Sequence, residues 1–166
     1  RGLYVKAIKK AKKKYTAFYG CLIQNKYPYI EILAKCVLKK LGCKIVDIEN
    51  FSCCPDPLSI RGYDKWTWYV IAARNLAIAE EKGLDIISFC NGCYSTLKCA
   101  NIELKENSVL RKKINNLLAE EGLHYSGSVH VKDILEVCAF DIGILEIKEH
   151  VIRPLTGLKI ATHPGC

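Results

Sequence analysis

Phe51-Ser52-Cys53-Cys54-Pro55-Asp56-Pro57 sets two adjacent thiols against two prolines, a combination that packing alone does not account for. Neighbouring side chains on an extended backbone diverge, so a pair serving one object suits an object wider than a single ion. A multi-iron cluster is such an object. Working outward, Cys21 lies upstream with 31 residues between it and Cys53, and Cys90-Asn91-Gly92-Cys93 lies downstream with 35 residues after Cys54. The pattern is C-x31-CC-x35-C-x2-C.

The segments around these cysteines repeat one order. Residues 15–19 are β-prone and end at Gly20-Cys21; 29–41 place Ile30, Leu33, Ala34, Val37, Leu38 and Leu41 on one helical face, closed by Gly42. Residues 43–48 alternate as a strand and lead to Cys53-Cys54. Asp64 can cap a long helix to 82, with Gly83 as its stop, and 84–89 form an apolar strand that leads to Cys90. Further helices are expected at 93–106, 109–122, 131–141 and 145–151, and a fourth strand at 157–162, running into Gly165-Cys166. Strand, thiol and helix thus alternate three times and begin a fourth. This predicts an α/β fold, a parallel sheet with helices on both faces, in which Cys21, Cys53, Cys54, Cys90 and Cys93 converge at the C-terminal ends of the strands.

Composition narrows the class. With 166 residues, half of them apolar, one core is expected. Charged residues interrupt every apolar run before the about 20 residues of a membrane span, so no transmembrane segment and a cytoplasmic location are expected. Ten cysteines in a chain with long helical patterns and no secretory leader favour metal or redox work over a disulfide framework. The formal charge of +8 fits an anionic substrate, nucleic acid or an acidic partner, or else a lysine-rich solvated exterior. Residues 1–14 carry seven basic side chains and no acid, with apolar residues at helical spacing, and read as a basic amphipathic extension.

Five sulfurs exceed closed tetrahedral zinc, and a cubane cluster would need only four. A free dithiol at Cys90-x-x-Cys93 also has the strand-to-helix setting it requires, but leaves three thiols at matching spacing unexplained. Cys36, Cys43, Cys99 and Cys138 fall within strand or helix patterns as small core hydrophobes. His163 precedes Cys166 at the same predicted sheet edge, where it could donate a proton or bind an anion; a merely satisfied side chain is the simpler reading. His124, His130 and His150 read as surface residues. No phosphate-binding glycine loop, dinucleotide fingerprint or serine-nucleophile motif occurs, so electrons are expected from another protein.

The spacing, with the CCPDP and CNGCY segments, resembles the cysteine-rich CCG domain family, and within it the B subunits of the heterodisulfide reductases of methanogens. Pro55 stands where the general pattern has glycine, as in that branch. The resemblance implies a noncubane [4Fe-4S] cluster on Cys21, Cys53, Cys54, Cys90 and Cys93. It also implies a duplication, with 1–14 an extension, 15–156 a first domain and 157–166 the start of a second, so that Cys166 would open a second ligand set. The implied reaction is reduction of the CoM-S-S-CoB heterodisulfide to two thiols in a complex with A and C subunits, with no nucleic acid involved. A non-catalytic electron-transfer subunit, similar to those of glycolate oxidase, is the alternative, and a zinc-stabilised binding domain the third.

Overall fold

In the computed structural model, which describes residues 14–162, four strands form one parallel sheet: β1 (Lys14–Phe18), β2 (Lys44–Val46), β3 (Asp85–Ser88) and β4 (Val131–Asp133). Their order is β2-β1-β3-β4. Tyr15 pairs with Ile45 on one side and Asp85 on the other, and Ile86 pairs with Val131. The helices are α1 (Gly20–Lys26), α2 (Pro28–Lys40), α3 (Ser59–Tyr63), α4 (Lys65–Glu81), α5 (Asn91–Glu106) and α6 (Ser108–Leu118), with α7 (Ile134–Glu136) and α8 (Ile144–Glu149) after the last strand. The α/β class, the parallel sheet and the helices on both of its faces are as the alternation predicts.

Strand alternation divides the interior. Phe18, Ile86 and Val131 meet Trp68, Leu76, Leu97 and Ile114 of α4, α5 and α6 on one face. Tyr15, Ala17, Tyr19 and Ile87 meet Ile23 of α1, Leu38 of α2 and Val137 on the other. Asp64 caps α4 as expected, accepting from the backbone N–H groups of Trp66 at 3.0 Å and Thr67 at 3.1 Å. Because α4 is apolar around most of its circumference, it is the most deeply buried helix, with Trp68, Ala72, Ala73, Leu76 and Ala79 shut off from solvent.

Several expectations are corrected. Residues 131–141 are not one helix: Ser128 to Lys132 alternate in burial, and Val131–Asp133 join the sheet as β4. Asp133 then ends the strand and caps α7, accepting from Leu135 N–H at 2.7 Å while Glu136 accepts from Asp133 N–H at 2.9 Å. A wide π-type turn, Val137–Gly143, links α7 to α8, its Asp141 carboxylate accepting from Tyr15 O–H at 2.7 Å and Lys132 Nζ at 2.6 Å. Residues 157–162 form no strand; they are exposed and irregular and pair with none of the four strands. The segment after Cys21, where the sequence suggests a loop before 29–41, is helical, and α3 adds a turn before α4. In α2 the inward stripe is Ile30, Ala34 and Leu38, whereas Leu33 and Val37 are exposed. Cys36 shares that outer surface and is not a core residue. Cys43 is buried as expected, Cys99 and Cys138 only half-buried. His124, His130 and His150 are exposed as expected. Residues 1–13, His163 and Cys166 lie outside the described residues.

Candidate functional site: a thiol array at the sheet edge

The order β2-β1-β3-β4 reverses the direction of winding between β1 and β3, so the loops after these strands splay to opposite faces and leave a crevice at their carboxyl ends. Cys21 follows β1, Cys53 and Cys54 follow β2, and Cys90 and Cys93 follow β3. The structure brings these five thiols together in a string. Cys53 neighbours Cys21 and Cys54, Cys54 neighbours Cys93, and Cys93 neighbours Cys90. Cys54 and Cys93 are buried, Cys90 is half-buried, and Cys21 and Cys53 face solvent. Among the described residues no three of His, Cys, Asp and Glu converge as a single metal ion would require.

The local sequence builds this arrangement. Gly20 opens α1 with φ of +73°, and a Cβ there would lie 2.5 Å from Cys93 Sγ. Only glycine therefore lets β1 turn into α1 so close to the α5 thiol. In the Ser52–Pro55 turn, Asn75 Oδ1 accepts from Ser52 N–H at 2.9 Å and Asn75 Nδ2 donates to Cys53 C=O at 3.3 Å. Thr96 Oγ1 donates to Pro55 C=O at 3.1 Å, and Ser88 Oγ donates to Cys90 C=O at 3.1 Å. Asp56 Oδ1 accepts from Leu58 N–H at 2.9 Å, Ser59 N–H at 2.6 Å and Ser59 Oγ at 2.8 Å, which turns the chain out of the double cysteine into α3. Arg61 of α3 then reaches Glu103 of α5 at 2.8 Å.

The thiols are electrostatically unequal. The Cys93 and Cys53 S–H groups, in that order of weight, hold Cys54 below the usual thiol range against the opposing effect of burial. Donation to Cys54, with burial behind it, pushes Cys93 up. Partial burial and then the Cys54 and Cys21 sulfurs push Cys53 up to about 11. Within the array, Cys54 is therefore shifted toward ionisation, and Cys53 and Cys93 are shifted away from it. Beside Cys21 and Cys53 opens a cavity of about 460 Å³ whose ionised walls are Glu31, Lys35, Asp47 and Glu49. Lys35 is already shared between Glu31 at 2.8 Å and Asp47 at 3.0 Å.

Of the residues that sequence reasoning singled out, the structure gathers all five of the spaced cysteines. Sequence reasoning missed the contact between Gly20 and Cys93, although a glycine directly before a cysteine at a strand end was its signal. It also gave no role to Asn75, Ser88 or Thr96. Asn75 was visible as an amide within the apolar run of α4.

A doubly wound domain that presents thiols from three successive strand ends defines a cysteine-rich redox or metal-binding class. The chain belongs to the CCG cysteine-rich domain family, which matches residues 15–98. It is 40% identical over 153 residues to the B subunit of the Ferredoxin/F(420)H(2)-dependent CoB-CoM heterodisulfide reductase of Methanosarcina acetivorans, covering 92% of this chain and 51% of that one. It is 31% identical to the 8-methylmenaquinol:fumarate reductase membrane anchor subunit of Wolinella succinogenes, covering 93% of this chain and 52% of that one. The chain spans about half the length of the curated relatives it matches. A hypothetical protein from Helicobacter pylori of known crystal structure shares the fold, with a TM-score of 0.67 at 20% identity over 76% of this chain and 25% of that one. No helix among the described residues is long and apolar enough to cross a membrane.

Proposed function

We propose that the chain is part of an iron-sulfur subunit of the heterodisulfide reductase B type, which reduces CoM-S-S-CoB to coenzyme M and coenzyme B thiols in a cytoplasmic complex with A and C subunits. The observation that carries this reading is the gathering of Cys21, Cys53, Cys54, Cys90 and Cys93 at the switch point, in a chain 40% identical to a protein of that name. The residues fit a cluster. Five soft donors are strung along a rim, and Gly20 clears the space that a Cβ would take from Cys93. A noncubane [4Fe-4S] group on these five residues would supply one-electron reduction at sulfur. Cys54 and Cys93 would hold its inner side and Cys21 and Cys53 its solvent side, next to the cavity. Cys166 would belong to a second ligand set in the full-length protein, with His163 beside it.

The cavity qualifies the role of net charge. Glu31, Asp47 and Glu49 outnumber Lys35 around it, so the anionic groups of the heterodisulfide gain no coulombic attraction there. Those groups need cations elsewhere in the full-length protein.

A second reading, a non-catalytic electron-transfer module, is favoured by the 31% identity to a protein named for a menaquinol:fumarate reductase. One experiment separates the readings. Iron and acid-labile sulfide are measured per chain after anaerobic reconstitution, followed by thiol release from CoM-S-S-CoB by the full-length protein with a reduced dye as donor. Cys54→Ser should abolish cluster loading and Cys99→Ser should leave it intact; equal iron in the two variants would sink the ligand assignment. A loaded full-length protein that releases no thiol supports the electron-transfer module instead.

A further inference from the structure

Five polar residues are buried among the described part of the chain, and three of them, Asn75, Ser88 and Thr96, are wholly shut off from solvent with their bonds directed at cysteine-bearing backbone. A buried amide or hydroxyl costs free energy unless it is satisfied, so its placement in an apolar core has to be repaid by what it holds. Two of the three grip a single turn from two neighbouring helices. Asn75 of α4 accepts from Ser52 N–H at 2.9 Å and from Ser52 Oγ at 3.2 Å, and returns a bond to Cys53 C=O at 3.3 Å. Thr96 of α5 donates to Pro55 C=O at 3.1 Å. Cys53 and Cys54 lie between the two anchors. With their backbone clamped on both sides, the first thiol faces solvent and the second is only 6% exposed.

We infer that Asn75 and Thr96 are positioning residues that clamp the double-cysteine turn, so that Cys54 is sequestered and aimed at Cys93 before any metal arrives. The inference rests on the reading of the five thiols as cluster ligands, but concerns the protein's own geometry. A turn tethered only at its ends would let the two sulfurs exchange exposure, and the geometry presented to a cluster would then vary from molecule to molecule. Fixing the backbone in advance places that ordering cost in folding instead of in cluster capture.

The test uses the metal-free, reduced chain as well as the loaded one. Alkylation by iodoacetamide is followed by mass spectrometry at Cys54 and at Cys43, a buried thiol next to β2 that neither anchor touches. Asn75→Ala and Thr96→Val should each raise Cys54 alkylation about tenfold with Cys43 unchanged, since each removes a bond that holds the turn closed. Thr96→Ser, which keeps the hydroxyl, should restore protection. In loaded protein both variants should release iron to a chelator faster and show an altered electronic spectrum. Cys54 that stays protected in both variants overturns the inference, as does a parallel rise at Cys43, which would mean general loosening. If the unaltered chain takes up no iron, the cluster reading fails, while the alkylation result still decides the clamp.

Discussion

The two faces of the sheet are built to different depths. On the α4, α5 and α6 side nineteen buried apolar residues form one continuous cluster, against eight on the α1 and α2 side among the described residues. Cys54 and Cys93 belong to the thick side, Cys90 packs against both clusters, and Cys21 and Cys53 are exposed. The thin side carries Leu33 at 58% and Val37 at 51% exposure, so α2 is held by a narrow stripe. The lesson is that the thiol array is graded: its inner members are located by packing and its outer members by loop geometry.

The sharpest way to break this comparison is to remove matched bulk from each side. Leu76→Ala on α4, fully buried, should cost about 2–5 kcal/mol of unfolding free energy, whereas Ile32→Ala on α2, 63% exposed, should change it by less than about 0.5 kcal/mol. Urea unfolding of the two variants measures both, and similar losses would mean that the α2 surface is covered in solution.

A smaller effect is expected on the seam. Gly20→Ala introduces a Cβ at positive φ against Cys93 Sγ and should cost about 1–2 kcal/mol, with the larger consequence at the thiols: Cys93 has to shift, so cluster loading should fall more than stability does. Iron per folded chain, set against the thermal midpoint, checks this. Unaltered loading would show that the close approach is incidental.

The smallest expected effect lies at the rim of the thick side. Burial works to raise the Glu80 carboxyl, but hydrogen bonds from Ser126 and Ser128 outweigh it and hold the group below its ordinary 4.5. A carboxylate whose folded value is depressed contributes stability that is present above 4.5 and lost as the pH falls through the folded value. Glu80→Gln should therefore lower stability at neutral pH by on the order of 1 kcal/mol, discounted for solvent screening, and the two unfolding curves should converge in acid. A gap that persists in acid would assign the effect to shape instead of charge.

What the sequence made legible follows the same grading. The strands that deliver cysteines, the Asp64 cap and the five spaced thiols could be read because each rests on a local signal: periodicity, a capping side chain or exact spacing. The end of the fold could not be read in the same way. An apolar pattern at Val131, Ile134, Leu135 and Val137 serves a strand and a helix equally well until pairing with β3 chooses, although the Ser128 to Lys132 alternation and the Asp133/Glu136 capping box marked the break. The apolar β-prone run at 157–162 fits a strand by propensity, yet among the described residues it pairs with none of the four strands. On α2, spacing alone predicted a broader inward face than the thin side has partners to cover, which is why Leu33, Cys36 and Val37 were misplaced.

The pairing of Tyr15 with Asp85 has a consequence in time. The carboxyl ends of β1 and β3 can meet only after a parallel contact closes across the whole of α1, α2, β2, α3 and α4, and non-local parallel pairings are among the slow events of folding. During synthesis, Cys21, Cys36, Cys43, Cys53 and Cys54 all emerge before the strand that organises them. For that interval these thiols of the nascent chain are open to one another and to any oxidant. Under the proposed cluster reading, loading has to wait until β3 is seated, and until then the thiols need protection from oxidation.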